Sequence, residues 1–205
     1  MNHLISLTIG YLIGSFPTAF IILKKSHGLD ITQNGSGNVG ALNSFLVTKS
    51  KWIGLLVLAI DFLKGFLSVM ITIFLFGPEF IFPILTITAA VFAHCYSPWL
   101  KFKGGKGLAT AAGGAFAISI PVLVIWSIAW SVFYFSRRDM DLANTNASLS
   151  AAVFSFLGYS VIDKFSFIHS SGKLFFGFSV SIVMAIIISK HITYLQKRLI
   201  KNKIN

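Results

Sequence analysis

LATAAGGAFAISIPVLVIWSIAWSVFYF, residues 108–135, decides how many times this chain crosses a bilayer. The run is uncharged. It is too long for one upright transmembrane helix, which needs about 20 residues, and too short for two full ones. Gly113-Gly114 and Pro121 interrupt it, which predicts two short, broken or tilted helices. On its N-terminal side lie apolar runs at Leu4–Leu23, Trp52–Phe76 and Phe80–Tyr96, the last two separated by Gly77-Pro78. On its C-terminal side lie Thr145–Ile162 and Leu174–Ser189, the second flanked by Lys173 and Lys190, which can snorkel to the interfaces. Leu4–Leu23 has no basic segment before it and no small-residue cleavage site after it, so it reads as a retained span and not a signal peptide.

Charge arbitrates the count. With seven crossings and the N-terminus outside, only Lys164 and Lys173 lie outside, Lys64 lies within a span, and every other Lys and Arg falls on the inner side. Six crossings would move Arg137 and Arg138 outward. The sequence therefore predicts an all-α membrane protein of seven transmembrane helices, some short or broken. Its N-terminus lies outside, its C-terminus is cytoplasmic, and residues 1–205 form a single domain.

Composition agrees. Of 205 residues 55% are hydrophobic and 11% charged, with mean hydropathy +0.80. A soluble domain carries about a quarter charged residues and has a polar shell to fill. The net charge of +11 is accounted for by basic cytoplasmic loops among membrane lipids, with no nucleic acid as partner. The single cysteine, Cys95, excludes an intrachain disulfide. Its neighbour His94 would point about 100° away on a helix, so the two do not form a nucleophilic pair. Asp61 and Lys64 share a helix face inside the second span. Charges at that depth must pair or face a polar cavity, which leaves two readings: an ion pair holding the bundle, or a wall of an active site.

Two cytoplasmic loops have the composition of anion sites. Asn34-Gly-Ser-Gly-Asn-Val-Gly-Ala41 contains G-x-G-x-x-G, and Asp61 lies about twenty residues on, as in dinucleotide folds. Asp61 is embedded in an apolar span and no strand–helix–strand unit is possible, so that fold is excluded. What remains is backbone N–H groups that Gly35, Gly37 and Gly40 allow to converge, with Ser36, Asn38 and Asn43 as short polar donors. The second loop is Lys101-Phe-Lys103-Gly104-Gly105-Lys106-Gly107-Leu-Ala-Thr110. It lacks the spacing of a nucleotide-binding P-loop. It does set free N–H groups, a helix N-terminus and the Lys106 ammonium around one point, with Lys103 and Thr110 close by. A basic loop touching lipid headgroups is the competing reading.

Gly35-Ser-Gly-Asn-Val-Gly-Ala-Leu-Asn43 and His94-Cys-Tyr-Ser-Pro-Trp-Leu-Lys-Phe-Lys-Gly-Gly-Lys-Gly-Leu-Ala-Thr110 closely resemble motifs of the bacterial acyl-phosphate-dependent glycerol-3-phosphate acyltransferases, the PlsY family. Weaker similarities lie at Asp61-Phe-Leu-Lys64-Gly and Arg138-x-x-x-Leu142-Ala143. The resemblance implies seven spans, residence in the bacterial inner membrane with cytoplasmic motifs, and acyl transfer from acyl phosphate to the 1-hydroxyl of glycerol 3-phosphate, giving lysophosphatidic acid. It also implies no metal, no cofactor, no coenzyme A and no acyl-enzyme. Ser36, Lys106, His94 and His191 would be catalytic. Gly35, Gly37, Asn38, Gly40, Asn43, Lys103, Gly104, Gly105, Gly107 and Thr110 would bind substrate, and the two histidines would orient phosphate or relay a proton.

The chain departs from the family pattern at several positions. Leu42 and Leu46 stand where the family has Thr and a phosphate-gripping Arg, and Thr32 stands where it commonly has Arg. Of the third motif only His191 remains, with Tyr194 at the Asn position and no following Gly-x-Glu. Leucine supplies no guanidinium fork, so either this is a divergent paralogue with reduced or altered activity, or Lys49, Arg137 or Arg138 substitutes. A non-catalytic membrane protein binding phosphate esters or acyl phosphate is the alternative function.

Overall fold

A computed structural model describes residues 1–204, with side chains described through Ile192. All regular structure among them is helical: α1 (Asn2–Ser15), α2 (Thr18–His27), α3 (Ala41–Thr48), α4 (Lys51–Phe76), α5 (Ile81–Cys95), α6 (Leu108–Ile118), α7 (Ile120–Arg137), α8 (Met140–Leu157), α9 (Tyr159–Lys164) and α10 (Lys173–Ile204). Five stretches are long and apolar enough to span a membrane: Asn2–His27, Lys51–Phe76, Ile81–Leu100, Ile120–Arg137 and Lys173–Ile192. Of the other two predicted spans, α6 is apolar but short at 11 residues. The other, α8, carries Asn144, Thr145, Asn146 and Ser148 and is less apolar. The chain divides into two compact units, Met1–Ala117 and Ile118–Asn205.

In the first unit, glycines let helix backbones touch. A β-carbon at Gly10 would strike the Thr86 carbonyl oxygen, and one at Gly14 would strike Ala90, so α1 lies directly on α5. Gly65 of α4 meets the Thr110 carbonyl of α6 in the same way, and Gly113 of α6 meets the Phe62 carbonyl. Association without a hydrophobic driving force depends on such close approach. Gly113-Gly114 therefore does not interrupt α6 as expected; the pair lies within the helix, where the α4 backbone occupies the side-chain space of Gly113 and the Ile87 side chain of α5 that of Gly114.

The first predicted span is also corrected. Leu4–Leu23 is not one helix but breaks at Phe16-Pro17, since Pro17 has no N–H and its ring excludes the preceding helical turn. The carbonyls freed there are taken up across the bundle. Ser97 Oγ donates to the Ser15 carbonyl at 2.8 Å, Trp99 Nε1 to Ser15 Oγ at 3.0 Å, and Lys64 Nζ to the Phe16 carbonyl at 2.8 Å. Helix α3 falls in a segment expected to be loop.

In the second unit, α7 and α8 are joined by two indole bonds one turn apart. Trp126 Nε1 donates to Ser148 Oγ at 3.1 Å, and Trp130 Nε1 to Asn144 Oδ1 at 2.7 Å. Two of the polar residues that make α8 less apolar, Asn144 and Ser148, are thus met by its neighbour, and Thr145 donates to the Asp141 carbonyl within the helix. Ala143, Ala147 and Ala151 form its buried small-residue face. The break between α6 and α7 falls where Pro121 predicts one, with Pro121 in the first turn of α7. The freed Ile118 carbonyl accepts the N–H groups of Phe167 and Ile168, at 3.0 and 3.2 Å. The span expected over Thr145–Ile162 breaks at Gly158 into α8 and α9.

Candidate active site

The glycine loop before α3 is built around Asn43. Its Oδ1 accepts the Ser36 N–H at 3.0 Å, and its Nδ2 donates to the carbonyls of Asn34 and Asn38, both at 3.0 Å. The residue is only 2% exposed. Both amide hydrogens are used within the loop, so Asn43 holds the loop's shape and does not reach outward as a donor. Gly35 and Gly37 have φ of +62° and +71°, values that side chains strain to adopt, and a β-carbon at Gly35 would collide with Asn43 Oδ1. Gly40 precedes α3 in extended conformation. Ser36 is thereby carried on the exposed rim, with Asn38 half-buried behind it.

Asp30 stabilises the approach to this loop by accepting the Thr32 hydroxyl at 2.6 Å and the Thr32 N–H at 2.9 Å. The Thr32 hydroxyl, its N–H and the Lys24 charge hold this half-buried carboxyl below the usual range for an aspartate. Thr32 thus serves Asp30. A buried apolar platform of Ala19, Leu23, Ile31, Val39 and Val57 lies beneath.

The second loop uses its first two glycines differently from the expectation. The Gly104 and Gly105 N–H groups donate to the carbonyls of Cys95 and His94, at 3.2 and 3.1 Å. They satisfy the C-terminal end of α5, so these two amides do not point at an anion. Glycine is required here because a β-carbon at Gly104 would strike the His94 carbonyl, and one at Gly105 would strike the His94 ring and lie 2.7 Å from the Val39 carbonyl. That double approach brings the two glycine loops together at His94. Gly107, with φ +82°, turns the chain into α6. Lys106 is half-buried and Lys103 exposed, whereas Thr110 is fully buried and faces α4.

Behind His94 sits a charged cluster. Lys64 Nζ lies 2.8 Å from Asp61 Oδ1, 2.8 Å from the Phe16 carbonyl and 3.3 Å from His94 Nδ1. A small pocket opens beside these groups and is floored by Gly104 and Gly105. Sequence reasoning placed Asp61 and Lys64 together but did not foresee His94 as the third member. It also missed the Phe16 carbonyl, although Pro17 inside an apolar run was the available signal.

His191 belongs to the second unit, where its fully buried ring places Nδ1 3.0 Å from Asp141 Oδ1. Asp141 is oriented in turn by the α8 cap, in which Asp139 Oδ1 accepts its N–H at 3.0 Å. Leu42 and Leu46 both lie exposed on α3. Lys49 ends that helix, three residues from Leu46 and exposed. The Arg138 guanidinium stacks 5.1 Å from the Phe135 ring centroid. Tyr194 lies outside the described side chains.

Comparison with known proteins places this arrangement. The profile of the family described as glycerol-3-phosphate acyltransferase matches residues 4–202. A glycerol-3-phosphate acyltransferase of Aquifex aeolicus is 38% identical over 162 residues, covering 78% of this chain and 83% of the relative. A second, from Moorella thermoacetica, is 40% identical over 155 residues, or 75% and 76% of the two chains. Crystal structures of PlsY, an integral membrane glycerol 3-phosphate acyltransferase, in glycerol 3-phosphate and lysophosphatidic acid forms, are similar with TM-score 0.78 and 32% identity. The glycerol 3-phosphate form covers 98% of this chain and 94% of its own. This chain belongs to the glycerol-3-phosphate acyltransferase family of integral membrane enzymes.

Proposed function

We propose that this protein transfers a fatty acyl group from acyl phosphate to the 1-hydroxyl of glycerol 3-phosphate, releasing lysophosphatidic acid and inorganic phosphate. The observation that carries the reading is the meeting of the two glycine loops at His94, in a chain of this family. Acyl phosphate is already activated. The hydroxyl oxygen bonds to the acyl carbon as the carbon–oxygen bond to phosphate breaks, and phosphate leaves with the bonding pair and, in net balance, the hydroxyl proton. The protein's task is to orient two anions and stabilise the oxyanion. Ser36 on the exposed rim and Lys106 at the entry to α6 are suited to it, with His94 supporting the junction. Asn43, Gly104 and Gly105 position these groups. In the second unit, His191, oriented by Asp141, is the remaining family histidine.

The same reading has seven crossings, with α6 and α8 joining the five long apolar stretches, the N-terminus outside and the glycine loops in the cytoplasm of a bacterial cell. The distribution of basic residues supports it. Impermeant thiol labelling of intact cells, with Cys95 replaced by serine, should label His3→Cys and Ser170→Cys but not Asn34→Cys; the opposite pattern inverts the topology. For activity, purified protein is incubated with labelled glycerol 3-phosphate and palmitoyl phosphate. Labelled lysophosphatidic acid is expected. Its absence from folded protein that still binds glycerol 3-phosphate would leave a phosphate-ester binder, a reading favoured by Leu46 where the family has arginine.

A further inference from the structure

We infer that Lys64, held by Asp61, is a positioning residue that fixes His94 as a neutral imidazole with its proton on Nε2, so that the ring serves the loop junction as a hydrogen-bond donor and not as a base. Lysine's ammonium has three hydrogens and no acceptor. Its three neighbours here are the Phe16 carbonyl and Asp61 Oδ1, both at 2.8 Å, and His94 Nδ1 at 3.3 Å. An ammonium can meet Nδ1 only if that nitrogen offers its lone pair, which leaves the ring proton on Nε2. Nε2 lies on the other side of the ring, against Gly105 and beside the contact of Gly105 with Val39.

Each part of the cluster has a reason to be there. Lys64 is 6% exposed and Asp61 3%, so neither charge is solvated and each needs the other. The Phe16 carbonyl lies where Pro17 ends α1; it accepts the Thr18 N–H at 3.0 Å and the Lys64 ammonium at 2.8 Å, and it steers the ammonium toward Nδ1. Asp61 Oδ1 lies 3.9 Å from the same Nδ1. Without the lysine, that carboxylate would draw a proton onto the nitrogen. The lysine therefore selects between two ring states, and only one of them directs a donor at the junction of the glycine loops.

The consequence for turnover rests on the acyltransfer reading, but the ring state is measured without turnover. Protein labelled with nitrogen-15 in its histidine rings, in detergent or lipid, gives long-range nitrogen–proton correlations that distinguish the two neutral forms and the doubly protonated ring. The His94 signals are assigned by their loss in His94→Gln. In the wild type His94 should be the Nε2–H form. In Lys64→Met it should change to the Nδ1–H or doubly protonated form, with initial velocity at least tenfold lower. A wild-type ring carrying its proton on Nδ1, or an unchanged ring in Lys64→Met, overturns the inference. Should Lys64→Met fail to fold because Asp61 is left alone, the double variant Asp61→Asn with Lys64→Met removes both charges. It should then show both neutral forms, and a pure Nε2–H ring there overturns the inference equally. Predicted ring states in a protein that forms no lysophosphatidic acid would count against the acyltransfer reading alone.

Discussion

Replacing Asn43 tests whether the glycine loop is a shape held by one side chain. Three hydrogen bonds converge on this residue, and at a net value of about 1 kcal/mol each they hold the loop by roughly 3 kcal/mol. That corresponds to about two powers of ten in the equilibrium for local opening. Asn43→Ala removes all three. Asn43→Asp keeps an acceptor for the Ser36 N–H but replaces the two Nδ2 donors with oxygen facing the carbonyls of Asn34 and Asn38. Hydrogen–deuterium exchange over residues 34–43 of detergent-solubilised protein distinguishes the two. Exchange should accelerate about a hundredfold in Asn43→Ala, and in Asn43→Asp it should accelerate with Ser36 N–H the best retained. The buried face of α4 should exchange as before, because the loop opens locally. Wild-type exchange across the loop in Asn43→Ala would refute the reasoning. So would equal acceleration along α4, which would make Asn43 a determinant of the whole unit.

Other expectations follow from single contacts. Lys106→Ala should weaken glycerol 3-phosphate binding roughly tenfold or more, the value of one charge-assisted phosphate contact, as read by calorimetry or KM. Leu46→Arg should raise kcat/KM for glycerol 3-phosphate by roughly one to two powers of ten, since Leu46 is exposed on α3 and a guanidinium there has room to fork onto phosphate; no gain in an otherwise folded variant means the pocket is organised around leucine. Gly113→Ala should lower the thermal midpoint in detergent, because its methyl group meets the Phe62 carbonyl and helix backbones must separate, at a cost of about 1–3 kcal/mol. Asp30 should titrate below an ordinary aspartate in a carbon-13 NMR titration, and Thr32→Val should move it back toward that value. Because its folded value is depressed, its contribution to the loop is present above the ordinary carboxylate range and is lost as pH falls through the lower folded value.

Much of the architecture was legible because lipid imposes a single rule, that apolar runs must satisfy their own backbone. The runs at Trp52–Phe76 and Phe80–Tyr96 became α4 and α5 with ends shifted by about a residue. What escaped was where helices stop inside an apolar run. Hydropathy does not register Pro17 or Gly158, yet each ends a helix, and the carbonyls of Ser15 and Phe16 beside Pro17 take donors from α4 and the residues after α5. Glycine misled in the opposite direction. Gly113-Gly114 looks like an interruption, but in the bundle it is a contact surface for the α4 backbone and the Ile87 side chain, and no single-helix argument distinguishes the two.

The site shows the same division between composition and placement. That the two loops contain glycine, small donors and lysine was readable, and so was their suitability for anions. Which N–H groups are spent internally was not. Asn43, Gly104 and Gly105 resemble ligand groups in sequence, but in the folded chain their hydrogen bonds go to Asn34, Asn38, Cys95 and His94. Those bonds are what leave Ser36 on the rim and Lys106 at the entrance of α6, since a loop with every amide turned outward would have nothing to hold it. The Asp61–Lys64 pair makes the same point one layer deeper. Its spacing of three guaranteed a contact along α4, but the choice between bundle ion pair and active-site wall depended on what α1 and α5 bring alongside. They bring the Phe16 carbonyl and His94 Nδ1, so the pair both closes the bundle and orients the ring between the two glycine loops.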